Sequence, residues 1–138
     1  KGTSQMDLKT DSTSWGNYKN NAWNITNLNS KYAICDEKLE NFDWTSGAYG
    51  IKDSDTMVLL STGASDDFSK QGIYDFAGNV FELTLEHDNL ISSAAIRNSC
   101  VIRGGCFGFD GREFTVSIRY EIFEDLVNPV IGFRVSLF

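Results

Sequence analysis

The chain predicts an α+β domain of short strands, few helical turns and much irregular loop, and three observations carry that prediction. Apolar and polar residues alternate with period two in three stretches, around Phe81, Phe114 and Phe133, as half-buried strands require. Met57, Val58, Leu59 and Leu60 form a continuous apolar run between Asp53-Ser54-Asp55 and Ser61-Thr62-Gly63, the pattern of a strand covered on both faces. Helical periodicity is nearly absent, so strands and loops must close the core between them.

Residues 1–50 are rich in Asn, Ser, Thr and Asp, with isolated aromatics at Trp15, Tyr18, Trp23, Tyr32, Phe42, Trp44 and Tyr49. No period persists there, yet the aromatics are too many for disorder, so this third predicts packed irregular loop. Ser65-Asp66-Asp67 caps a helical turn reaching Lys70. Gly78-Asn79 supplies turn chemistry before a strand with Phe81, Leu83 and Leu85 on one face and Glu82, Thr84 and Glu86 on the other. Phe114, Val116, Ile118 and Tyr120 predict the next strand, alternating with Thr115, Ser117 and Arg119. Phe133, Val135 and Leu137 predict the last, against Arg134 and Ser136. Pro129, the single proline, falls in the loop before it.

A length of 138 residues with no internal repeat and no linker fits one domain over 1–138. The chain starts at Lys1 and shows neither a signal peptide nor a membrane span, which predicts the C-terminal part of a longer protein with no membrane insertion. Its net charge of −7 and scattered cations argue against nucleic acid as a partner, since phosphate binding needs clustered Lys and Arg. Cys35, Cys100 and Cys106 are an odd, irregularly spaced set and His87 is alone, so neither a disulfide framework nor tetrahedral zinc is expected. One bridge from Cys100 to Cys106, across Arg103-Gly104-Gly105, stays open in an oxidising compartment. Gly78, Gly104 and Gly105 mark backbone positions that exclude a side chain, and Arg103, Arg119 and Arg134 suit loop carbonyls at strand ends. Asp75, Asn79 and Glu82 stabilise turns, with calcium ligation as the alternative. No cofactor is expected.

Two strings in order, Gly72-Ile73-Tyr74-Asp75-Phe76-Ala77-Gly78-Asn79-Val80-Phe81-Glu82-Leu83-Thr84 and then Arg103-Gly104-Gly105 closed by Ile131-Gly132-Phe133-Arg134-Val135, carry a resemblance. They resemble the signature of the formylglycine-generating-enzyme, or sulfatase-modifying-factor, family. Trp15-Gly16-Asn17-Tyr18 and Thr62-Gly63-Ala64-Ser65 look like segments of its gut-bacterial and prophage members. The resemblance implies a C-type-lectin-like fold, on which the family carries a copper-dependent oxidase, iron-associated enzymes and retroelement-diversified binding proteins.

The oxidase of that family holds copper(I) through two cysteines spaced Cys-x4-Cys after the Arg-Gly-Gly motif, a soft-ligand site. Matching positions here are Phe109 and Phe114, which cannot ligate copper, and Cys106 stands where the family usually has Ser. Histidine ligands of the iron-dependent relatives come largely from another domain, and this chain has only His87. The resemblance therefore implies a protein that is not an enzyme.

Between the anchors, the segment 106–130 resembles the variable region of retroelement-diversified proteins. Adenine-directed mutagenesis of an Asn codon yields the residue types found at Gly108, Phe109, Tyr120, Ile122, Phe123, Val127 and Val130. The stretch from Tyr120 to Pro129 mixes large apolar residues with Glu121, Glu124 and Asp125 in no clean period, which suits an outward apolar patch with an acidic rim; a strand and turn facing the core is the alternative. The expected ligand-binding surface is Cys106, Phe107, Gly108, Phe109, Ile118, Tyr120, Ile122, Phe123, Val127, Asn128 and Val130, anchored by Phe109, Tyr120 and Phe123. Expected partners are a protein or other surface receptor, at a bacterial surface or phage tail, and the resemblance leaves room for a homo-oligomer. Two further readings remain: an oxidase-family enzyme, intact or degenerate, and a structural phage-tail component.

Overall fold

The computed structural model describes residues 6–36, 38–39, 41–70, 72–92, 95–123 and 128–133, with side chains described except at 88–92 and 95–98. A one-turn helix α1 (Asp7–Thr10) and a 3-10 turn at Thr13–Trp15 lead to strands β1 (Trp23–Ile25), β2 (Lys31–Cys35), β3 (Phe42–Ser46), β4 (Gly50–Lys52) and β5 (Val58–Leu60). A second 3-10 turn (Asp66–Phe68) precedes the short hairpin of β6 (Ser69–Lys70) and β7 (Ile73–Tyr74), and then come β8 (Phe81–Ser92), β9 (Ala95–Arg103), β10 (Tyr120–Phe123) and β11 (Ile131–Phe133). One small sheet has the order β3-β2-β5, and β1 pairs with β4. The largest sheet has the order β10-β9-β8-β11, antiparallel except where β11 runs parallel to β8. This is a strand-rich α+β chain, as the sequence predicts. Among the described residues no helix is long and apolar enough to cross a membrane.

Several local expectations hold. Val58 and Leu60 of β5 are buried, and Ser65 caps the 3-10 turn by accepting the Asp67 N–H at 3.2 Å, although the turn stops at Phe68 instead of reaching Lys70, because Ser69 and Lys70 pair with β7. Gly105 sits at φ +71°, and a Cβ there would lie 2.4 Å from the Phe114 carbonyl oxygen and 2.6 Å from the Tyr18 ring. Only glycine fits.

Others need correction. Residues 1–50 are not all loop, because β2 and β3 form a hairpin there; strands of five residues diluted by Lys, Asp, Thr and Ser leave little periodic signal. The alternation from Phe114 to Ile118 is not strand but successive turns, with the Phe114 N–H on the Asp110 carbonyl at 2.9 Å and the Ile118 N–H on Thr115 at 3.1 Å. Its apolar side chains enter two clusters: Phe114 and Ile118 join the one around Phe107, and Val116 joins Trp15 and Tyr18.

The alternation of β8 is broken by a bulge between Leu83 and His87. Thr84 Oγ1 donates to the Val101 carbonyl at 3.0 Å and accepts the Glu86 N–H at 3.2 Å. The bulge turns Leu85 outward, 96% exposed, so it does not share the buried face of Phe81. Cys100 and Cys106 are free thiols rather than a bridge. Arg134, Val135, Ser136 and Leu137, expected to finish the last strand, lie outside the described residues.

Buried amides tie the loops to the sheets. Asn79, at φ +60°, accepts the Leu60 N–H and the Asn17 amide on Oδ1, both at 3.0 Å, and donates to the Leu60 carbonyl at 2.9 Å. Both lone pairs of Oδ1 are committed, so Asn79 serves the turn and has none left for a cation.

Candidate ligand-binding cleft

Cross-strand register builds the floor of the site. Residues paired side by side point the same way, so Tyr120, Ile102, Leu83 and Phe133 share one face of the large sheet, with Ile122, Phe81 and Ile131 on the same side. Over part of that face lies a cleft of about 540 Å³. Phe81, Ile102, Tyr120, Ile122 and Ile131 come from the sheet, Phe109 and Phe114 from the loop after β9, and Asn128, Pro129 and Val130 from the turn before β11. Lys38 and Leu39, from the loop between β2 and β3, complete the rim.

The aromatic wall is closely packed. Phe109 and Phe114 stack with centroids 4.3 Å apart and planes 30° apart, and Phe81 meets them at 6.0 Å and 5.8 Å. The Phe109 N–H donates to the Cys106 carbonyl at 3.1 Å, and its own carbonyl accepts the Lys19 N–H at 3.0 Å. On the other lip, Asn128 Oδ1 accepts the Val130 N–H at 3.0 Å and the Asn128 carbonyl accepts the Ile131 N–H at 3.1 Å, which fixes the turn that presents Pro129.

Of the residues expected at a binding surface, Phe109, Tyr120, Ile122, Asn128 and Val130 converge on the cleft. Tyr120 is 53% exposed, whereas Val130 is buried at its base. Cys106 and Phe107 are not surface residues: both are fully buried, because the chain passes through the core immediately after the Gly104-Gly105 turn. Gly108 and Ile118 are half-buried, Gly108 against Leu39 and Ile118 against the Phe107 cluster. Phe123 is exposed but one residue out of phase with Ile122, on the opposite sheet face, so the three expected anchors do not form one patch. Val127, and Glu124 and Asp125 of the expected acidic rim, lie outside the described residues. Lys38, Leu39, Phe81, Ile102, Phe114, Pro129 and Ile131 were not anticipated. Phe114 carried a signal through its family position; the others are ordinary core or loop types until the register aligns them.

The lining is mostly apolar, with Lys38, Tyr120 and Asn128 as its polar side chains. Burial pushes the Cys106 thiol up to about 12, so it carries no thiolate at neutral pH. Phe109 and Phe114, at the positions where the resemblance implies copper-binding cysteines, offer rings instead of sulfur, and the site does not fit copper(I). Among the described residues no group of three His, Cys, Asp or Glu is placed to hold a metal. The opposite sheet face is charged. Glu86 accepts from Arg119 Nε at 2.7 Å and Arg103 Nη2 at 3.0 Å, and Arg119 also pairs with Glu121. Arg103 and Arg119 thus both serve carboxylates, and Arg103 also reaches a loop carbonyl, as expected, donating to Ser117 at 3.3 Å.

The profile of the sulfatase-modifying factor enzyme 1-like domain matches residues 5–137, nearly the whole chain. The chain belongs to that family. No curated protein and no solved structure matches it. Membership accounts for the two signature strings: Gly78, Asn79, Gly104 and Gly105 shape turns, while Phe81 and Ile131 of the same strings line the cleft.

Proposed function

We propose that this member of the family is a non-catalytic ligand-binding domain, a C-type-lectin-like frame diversified by a retroelement and displayed at a bacterial surface or phage tail. Its partner is a protein or other surface receptor, and nucleic acid is not a target. One observation carries the reading: the positions that hold reactive thiols in the family's oxidase are a stacked Phe109–Phe114 pair walling an apolar cleft. A cleft of this size takes a large apolar side chain or a small ligand, and Tyr120 beside it offers contact area with few rotamers to freeze.

Adhesion of the labelled domain to a panel of bacterial and host cells tests the proposal. Tyr120→Ala should weaken adhesion by roughly tenfold or more while leaving the melting temperature nearly unchanged, because the side chain is half in solvent. Unchanged adhesion with an intact fold would reject Tyr120 as an anchor. Incubation with copper(I) and a cysteine peptide supplies the opposing test, since oxygen uptake with aldehyde formation would establish an oxidase. Diversification is checked in the neighbouring DNA, where a near-copy of the segment's coding sequence, differing mainly at adenines, is expected beside a reverse transcriptase gene.

A further inference from the structure

Lys52 ends β4 as one of the largest fully buried side chains, 1% exposed. A buried ammonium is costly unless every N–H is matched, and here each one is. Nζ donates to the carbonyls of Tyr18 at 3.1 Å, Lys19 at 3.0 Å and Asn21 at 2.6 Å. The Trp23 ring lies beneath it, 5.5 Å from Nζ to the centroid. The acceptors are three carbonyls of one short loop, an arrangement that would otherwise suit a bound cation.

That loop in turn holds the cleft wall. The Lys19 N–H donates to the Phe109 carbonyl at 3.0 Å, Asn20 Nδ2 donates to Asp110 Oδ1 at 2.8 Å, and the Gly111 N–H donates to Asn20 Oδ1 at 2.9 Å. Three consecutive residues of the 109–111 segment therefore take their position from a loop whose three carbonyls converge on Nζ, those of Tyr18 and Lys19 also accepting the backbone N–H of Asn21 at 3.1 Å and of Asp55 at 2.8 Å. We propose that Lys52 is a built-in cation: by gathering the 18–21 carbonyls it sets the position of Phe109 and thus the shape of the cleft. It is a positioning residue, since it touches no cleft surface itself. The consequence for binding rests on the cleft being the ligand site; the positional role does not.

Amide hydrogen exchange on the whole domain tests this. In Lys52→Met, which keeps length and apolar bulk, the amides of Lys19 and Gly111 should exchange roughly tenfold faster or more, while those of Ala33 and Leu59 in the β3-β2-β5 sheet stay protected. Should Lys52→Met fail to fold, Lys52→Gln, which keeps two N–H donors without charge, carries the same comparison. In Lys52→Ala, added n-propylammonium should restore protection at Lys19 and Gly111. Tetramethylammonium, of equal charge but with no N–H, should not. Unchanged exchange at Lys19 and Gly111 would overturn the proposal, as would equal rescue by both ammonium ions or loosening spread evenly over the β3-β2-β5 sheet. Cell adhesion of the same variant separates the two ideas: loosened amides with undiminished adhesion would uphold Lys52 as the positioning cation and reject the cleft as the binding site.

Discussion

Asn79 shows how one side chain holds together parts of the chain that sequence distance keeps apart. Its amide joins β5 to the Asn17 turn, and Asn17 Oδ1 accepts the Trp23 Nε1–H at 3.1 Å while its Nδ2 donates to the Val58 carbonyl at 2.6 Å. Loss of the Asn79 side chain strands a buried backbone N–H and carbonyl on Leu60 and leaves alanine at φ +60°, where its Cβ is strained. Asn79→Ala should therefore cost about 3 kcal/mol in urea unfolding with an unchanged slope, a large effect for a residue that removes little apolar surface. A cost under about 0.5 kcal/mol would mean that water replaces the lost partners. The sequence marked Asn79 as a turn residue from its place after Gly78. It did not reveal the reach to Leu60 and Asn17, because a buried amide's partners are set by tertiary position, not by its neighbours.

Elements were legible where burial is one-sided or complete and illegible where turns imitate a strand. The run at Val58–Leu60 and the Ser65 cap appear as the sequence predicts, since each is decided by a few adjacent residues, whereas the end of the turn at Phe68 is set by the pairing of Ser69 and Lys70 with β7. Phe114, Val116 and Ile118 alternate for a different reason: successive turns send them into two separate clusters, and period two cannot distinguish that from a pleated face. The bulge of β8 was equally hidden, yet it decides where Glu86 points. The Arg119 and Arg103 guanidinium groups hydrogen-bonded to Glu86 hold its carboxyl below the usual carboxylate range. A lowered folded value means that the contribution to stability is present above the unfolded value of about 4.3 and is lost as pH falls through the lower folded value. The melting temperature of the wild type should exceed that of Glu86→Gln near neutral pH, by a margin that shrinks with added salt and disappears in acid. A margin independent of pH would show that the bulge, rather than the charge, supports this edge.

For the molecule as a whole, five of the twelve residues lining the cleft were legible: Phe109, Tyr120, Ile122, Asn128 and Val130 lie close in sequence, whereas Phe81, Ile102, Lys38 and Leu39 reach it only through folding. Lys52 is a more distant case, a lysine in a strand end whose sequence context reads as surface. Burial lowers its ammonium from the ordinary lysine value to about 8, with the Asp55 carboxylate opposing the shift. The unfolded chain keeps its lysine protonated to about 10.4, so between those values it binds more protons than the folded chain and stability must rise with pH. Below about 8 both states are charged and the contribution is flat. The wild type should accordingly gain on the order of 2 kcal/mol relative to Lys52→Met between pH 8 and pH 10.5, read from paired urea titrations. Locally the trend runs the other way. A neutral amine has two N–H groups for three carbonyls, so one of Tyr18, Lys19 or Asn21 loses its bond to Nζ. Exchange at Gly111, corrected for its intrinsic rise with pH, should quicken over the same window in which the domain becomes harder to unfold. A wild-type gain without that local loosening would show that the amine's two remaining bonds suffice to hold the loop.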